Sequence, residues 1–175
     1  MRYLTSQAIT LDHLTLPESR AIPGAAGALV TFIGIVRADR IKSRTVRALS
    51  YEACVDMAEQ EIARLVDVAQ ARWPLEGIEI RHRVGLVELG QMSVLIVVAA
   101  AHREAAYAAS QFLITQIKRQ VPIWKREHYD DGTSQWAAGS QEAASPSGYE
   151  ELVHAHSTSL RAMVSEQSES NHAHV

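Results

Sequence analysis

The chain holds a single cysteine, Cys54, so no disulfide framework and no intrachain thiol pair can form. That suits a reducing compartment. Positive charge is also short: 17 Lys and Arg stand against 20 Asp and Glu, a formal net charge of −3 and an isoelectric point near 6.2. Affinity for nucleic acid or an anionic membrane surface comes mainly from excess positive charge, so neither partner is expected. No apolar run approaches membrane-spanning length, and MRYLTSQAITL lacks a long apolar core behind its basic start, which points to a soluble, cytoplasmic protein. A P-loop, a dinucleotide fingerprint and zinc-type ligand spacing are missing as well.

What is present is a globular composition, 47% hydrophobic and 21% charged over 175 residues, long enough for one domain with a substantial core. Short alternation at Ala8-Ile9-Thr10-Leu11 suggests an edge strand, and Leu16-Pro17-Glu18-Ser19 a helix start cut off by Pro23-Gly24. Ala25 to Val36 is apolar and β-branched and predicts a buried strand, with Gly34 marking a bulge or a close backbone approach. The basic stretch Arg37 to Arg47 predicts an exposed loop with Arg40, Lys42 and Arg44 at a solvated hairpin tip, leading into a strand from Val46 to Glu52. Arg37 differs from these, because it closes a strand where a charge needs a partner or water.

Ile62, Leu65, Val66 and Ala69 recur at helical spacing, predicting a helix from Val55 to Ala71 that stops before Trp73-Pro74. Cys54 at its start reads as a packing residue, not a nucleophile. Ile78 to Val84 alternates strictly, the mark of a half-exposed strand, with His82 in register with the apolar residues as a satisfied core-edge histidine. Gly85 and Gly90 bracket a tight connection, and Ser93 to Ala100 predicts a buried strand. A second helix opens at His102-Arg103 and runs to Val121, where Pro122 stops it. A strand from Ile123 to Tyr129 follows, and another at Trp136. Together these elements predict an α+β fold, mostly antiparallel, with two long helices covering one face.

The last stretch changes character. Residues 1–138 form the expected domain, and 139–175 a polar tail rich in Ser, Glu, Ala and His, with a weakly amphipathic segment from Tyr149 to Val164. Its pairs His154/His156 and His172/His174 lack the convergent carboxylate or thiolate partners a metal site needs, so no metal and no cofactor is expected.

The candidate chemistry lies between His102 and Glu127. Tyr107, Ile114, Ile117 and Val121 share one helical stripe, and Lys118 lies at its margin, which predicts a half-buried lysine. Period two puts Ile123, Lys125, Glu127 and Tyr129 on one side of the next strand and Trp124, Arg126 and His128 on the other. Spacing alone favours the plainer reading, in which Lys118 snorkels past the core edge and Lys125 and Glu127 form an ordinary solvated ion pair. His102-Arg103 sits at a helix start, where free N–H groups attract anions and an arginine adds a bidentate clamp. Lys118 is fifteen residues further on, about 22 Å at 1.5 Å per residue, so one small ligand does not touch both. Either the two ends serve separate sites, or a second subunit completes one site across a symmetric interface.

TFIGIVR (31–37), RWPL (72–75), AHRE (101–104) and above all KRQVPIWKRE (118–127) resemble the large, catalytic subunit family of molybdopterin synthase, in order from Gly27 to Trp136. The resemblance implies an α/β hammerhead fold and a homodimer within a heterotetramer. It also implies a small ubiquitin-like sulfur-carrier partner whose C-terminal Gly-Gly tail ends in a thiocarboxylate. Sulfur from that tail would be transferred twice to cyclic pyranopterin monophosphate, giving the molybdopterin dithiolene. Carried over by position, Lys118 and Lys125 match the two essential lysines. Arg37, His102 and Arg103 match substrate-binding residues, and Arg126 and Glu127 flank the second lysine within the same binding region. One departure stands out: Gly139-Ser140 occupies the place where relatives carry an arginine reaching into the neighbouring subunit. The competing class is a non-catalytic module that holds an acidic or Gly-Gly protein tail; nucleic-acid binding through Arg37 to Arg47 ranks behind it because the chain is acidic.

Overall fold

The computed structural model describes residues 2–14 and 24–137. The helix start at Leu16, the tail from Gly139 and its histidine pairs lie outside the described residues. Nine strands and two α-helices are described: β1 (Leu4–Thr5), β2 (Ala28–Ile35), β3 (Arg40–Ile41), β4 (Arg44–Ala53), α1 (Val55–Arg72), β5 (Leu75–Arg83), β6 (Gly85–Glu88), β7 (Met92–Ala100), α2 (Arg103–Gln120), β8 (Ile123–Tyr129) and β9 (Ser134–Trp136). The chain is α+β, with every described strand pairing antiparallel except β1 with β5.

The first sheet has the order β1-β5-β7-β2. Strand β7 is its buried centre because SVLIVVAA offers apolar side chains to both faces. Even-numbered Val94, Ile96, Val98 and Ala100 join Ile78 and Ile80 beneath α1 and α2, while Leu95 and Val97 pack with Ile9 on the other face. The second sheet runs β3-β4-β8-β9, with β6 also paired to β4. Both helices stop where expected: α1 is capped at Trp73, whose N–H bonds Ala69, and α2 at Val121, whose N–H bonds Ile117.

Several expectations are corrected. Ala8 to Leu11 is not a strand, because backbone and ring bonds between Thr10 and His13 fold it into a turn with a single 3-10 segment, Leu11–Leu14. The edge strand is β1 instead, held by the Glu59 carboxylate, which accepts from the backbone N–H groups of Arg2, Tyr3 and Leu4 at 2.9 to 3.1 Å. Strand β2 is an edge, not a buried strand, and leaves Leu29 and Ile35 more than half exposed. Strand β5 keeps the expected alternation, with Ile78, Ile80 and His82 buried and Glu79 and Arg81 half-buried between them, and β1 covers only its His82–Arg83 end. Gly85 to Gly90 contains a strand, β6, rather than only a turn.

Gly34 is both things its position suggested. The register of β2 against β7 slips between Gly34 and Ile35, and a Cβ there would lie 2.5 Å from Val94 Cγ1. The basic loop is a hairpin whose tip, Lys42, adopts φ 57°. Arg44, however, is not a solvated tip residue. Its guanidinium lies 4.0 Å from the centroid of the Tyr129 ring and bonds Thr133 Oγ1 at 3.2 Å and Gln135 Oε1 at 3.1 Å.

Helix α2 also departs from the expected stripe. Ala106, Ala109, Ser110, Leu113 and Ile117 are its buried face, and Tyr107 is 64% exposed. Alanines let the first half of the helix approach β7 closely, which rotates the bulky tyrosine outward. The same rotation leaves Lys118 exposed rather than half buried.

Candidate functional site

The period-two reading of β8 holds, and β4 completes the surface it starts. Tyr51 pairs with Lys125 and Leu49 with Glu127, so these four side chains share one face with Tyr129. Lys125 Nζ lies 3.3 Å from Glu127 Oε1, and the Tyr129 hydroxyl donates to Glu127 Oε2 at 2.8 Å. A carboxylate as buried as Glu127 requires such partners, since an unpaired charge there would be costly. Burial first, then the neighbouring Glu127 carboxylate, pushes the Tyr129 hydroxyl above its ordinary range.

At the end of β5, His82 lies buried against Tyr51, their rings edge to face with centroids 5.1 Å apart. Its Nδ1 is 2.8 Å from the Arg83 carbonyl oxygen. A carbonyl only accepts, so Nδ1 carries the proton and Nε2 presents its lone pair. Burial lowers the His82 pKa to about 4; the bond to Arg83 opposes this, and the positive charge of Lys118 adds to it. Lys118 near the end of α2 therefore belongs to the surroundings of His82. Tyr51 joins that histidine to Lys125, which stands directly across the ladder from it.

This neutral histidine has a measurable consequence. Its folded-state pKa is depressed, so its contribution to stability is complete above pH 6.5 and is lost as pH falls toward about 4, where the folded form begins to take up the proton. The gap from 6.5 to about 4, at about 1.4 kcal/mol per pH unit, corresponds to roughly 3 kcal/mol. Thermal unfolding midpoints are expected to fall across that window, and His82→Gln to flatten the fall. Parallel curves for the two proteins would show that another group controls it.

Arg37 lies at the same end of the first sheet. Gly34 and His82 both pair with Val94, and Arg37 follows three residues beyond that row. Its side chain is 82% exposed, with Nε 2.6 Å from Asp39 Oδ1. His102 and Arg103 lie at the opposite end, where Ala28 and Leu75 both pair with Ala100. His102 is the N-cap of α2 and makes no side-chain capping bond, and exposed Arg103 pairs with Glu104 at 3.2 Å. The helix axis separates them from Lys118 by about 22 Å, so a single chain does not bring the two groups together. Arg126 is on the other face of β8, its guanidinium 4.4 Å from the Trp136 ring centroid. There Ser50 Oγ and His128 Nε2 are 2.6 Å apart. Among the described residues no cluster of His, Cys, Asp and Glu is arranged to hold a metal.

The family model described as MoaE protein matches residues 4–120. The chain belongs to the MoaE family. Similar proteins include the molybdopterin synthase catalytic subunit of Halalkalibacterium halodurans, 42% identical over 120 residues that make up 69% of this chain and 76% of the relative. That of Thermoplasma volcanium is 46% identical over 111 residues, 63% of this chain and 80% of the relative. The crystal structure of molybdopterin synthase from Staphylococcus aureus superposes with a TM-score of 0.68 at 34% identity, covering 78% of this chain and 96% of that one. Within the MoaE match lie Arg37, His82, His102, Arg103 and Lys118; Lys125 to Glu127 lie beyond its last residue, 120.

Four residues around the lysines were not singled out by spacing as parts of a site: Tyr51, His82, Tyr129 and Arg44. For His82 the signal was visible, a polar ring in register with Ile78 and Ile80, and its strand reading was right. What spacing could not show is that Tyr51 closes over it from the second sheet.

Proposed function

We propose that this chain acts in the cytoplasm as a sulfurtransferase, the catalytic subunit of a molybdopterin synthase. It moves sulfur from the thiocarboxylated C-terminus of a small ubiquitin-like partner to cyclic pyranopterin monophosphate, as a homodimer within a heterotetramer. The catalytic body is residues 1–138, with 139–175 an appended tail. The observation that carries this reading is Lys125 directly across the ladder from Tyr51, which packs on His82, at the end of the first sheet where Arg37 lies; Lys118 is near enough for its charge to act on that histidine.

The chemistry follows from these groups. The substrate's phosphate is an anion, and Arg37 and the His102-Arg103 helix start are donors suited to it. Opening the cyclic phosphate requires a proton at the leaving oxygen, and Lys118 is the donor. His82 stays neutral at working pH and so adds no positive charge to compete with Lys118 for the anion. Lys125 orients the thiocarboxylate, or the acyl group left on the partner once sulfur has gone. Arg126, on the far face of β8, serves this site only through contacts with another subunit or the partner.

The deciding measurement mixes the purified full-length chain with a thiocarboxylated partner and cyclic pyranopterin monophosphate. Dithiolene formation is expected, and none when the partner ends in an ordinary carboxylate. Tight binding of the partner with no dithiolene would instead identify a binding module.

A further inference from the structure

On the lysine-bearing face of the second sheet, three side chains of one strand are joined in series. The Tyr129 hydroxyl donates to one oxygen of Glu127 at 2.8 Å, and the other oxygen holds the Lys125 ammonium at 3.3 Å. Each link spans two residues of β8, the spacing that keeps side chains on one face. Tyr129 is itself fixed: the residue is 4% exposed, and the Arg44 guanidinium lies 4.0 Å from its ring centroid. Arg44 is tied in turn to Thr133 and Gln135. The series thus runs from the β8–β9 turn and β9, through a buried phenol and a buried carboxylate, to a lysine whose side chain is 39% exposed.

We propose that Tyr129, acting through Glu127, is a positioning residue that aims the Lys125 ammonium into the site; this rests on the synthase reading above. A carboxylate with one oxygen bonded cannot spin, so the other oxygen keeps a fixed direction. A lysine has four rotatable side-chain bonds and gains a defined position only if its charged end is held. Glu127 is nearly buried and engaged at both oxygens, which makes it the holder of Lys125 and not a contact for substrate. Arg44 keeps the Tyr129 ring in the orientation that lets its hydroxyl reach back along the strand.

Tyr129→Phe removes the hydroxyl and keeps the ring under Arg44. In the dithiolene assay with full-length protein and thiocarboxylated partner, kcat is expected to fall roughly tenfold to a hundredfold, the scale of a misaimed catalytic group. KM for the pterin should stay within about twofold, because positioning is lost and not binding. Glu127→Gln should show the same split, and adding Tyr129→Phe to it should change kcat by less than about twofold, since the hydroxyl acts only through the carboxylate. An independent readout is the nitrogen-resolved NMR signal of the Lys125 ammonium, sharp in the wild-type protein and broadened in Tyr129→Phe.

Unchanged kcat in Tyr129→Phe, or losses that multiply in the double variant, would overturn the proposal. Should Tyr129→Phe fail to fold, the kcat and KM split of Glu127→Gln decides the matter, with a pure KM effect counting against positioning. If the wild-type protein forms no dithiolene, the synthase reading fails on its own. The ammonium signal then decides separately whether Tyr129 holds Lys125.

Discussion

Lys118→Ala is expected to abolish dithiolene formation, with a loss of at least 10²-fold to 10⁴-fold, the usual span for removing a general acid. The variant should keep its fold and its thermal midpoint, because Lys118 is exposed and makes no part of the apolar face of α2. Lys118→Arg separates two explanations of the loss. A guanidinium keeps the positive charge that attracts a phosphate but does not release a proton near neutral pH. If Lys118 donates a proton, the arginine variant retains KM and loses kcat; if it only attracts the anion, kcat largely survives. Turnover near the wild-type level in Lys118→Ala would remove the lysine from the mechanism altogether. Because Lys118 is open to water in the single chain, whatever excludes water during the reaction has to come from the substrate, the partner tail or a second subunit.

How much of this could be read from the residues depends on whether local pattern or tertiary contact decides each feature. The two helices and β7 and β8 were legible to within one or two residues, because apolar period and proline stops act locally: Pro74 and Pro122 set both helix ends. The apolar run locates β2 but does not say which strand becomes the edge; only the order β1-β5-β7-β2 does. Ala8 to Leu11 alternated over too few residues to outweigh the turn that Thr10 and His13 form between them.

The site shows the same division. The shared face of Lys125, Glu127 and Tyr129 followed from period two alone. Tyr51 and His82 come together from strands 31 positions apart in the chain, and no spacing rule reports such a contact. Arg44 is a similar case: a residue in a basic hairpin looks solvated until its target, Tyr129, is brought beside it by strand pairing. The exposure of Lys118 escapes the helical period for a subtler reason. Alanines at 106 and 109 shift the buried stripe of α2 away from Tyr107, and the lysine moves out with it.

Mixing two inactive variants, Lys118→Ala and the double variant His102→Ala/Arg103→Ala, is expected to restore activity. The two groups lie at opposite ends of α2, about 22 Å apart along its axis, so no small substrate bridges them within one chain. If both act on one substrate molecule, a two-fold dimer has to bring the helix start of one subunit to the helix end of the other. In a heterodimer of the two variants, one site then carries every lesion and the other carries none. Random exchange makes about half the dimers mixed, each with one working site of two, so recovery should approach about a quarter of wild-type activity. If each chain instead builds its own complete site, every site in the mixture is defective and no activity returns. Size-exclusion chromatography of differently tagged subunits, run on the same samples, shows whether exchange took place. Exchange without recovered turnover would mean that the helix start of one subunit does not complete the Lys118 site of the other, and the phosphate-binding role given to the helix start would then have to be abandoned.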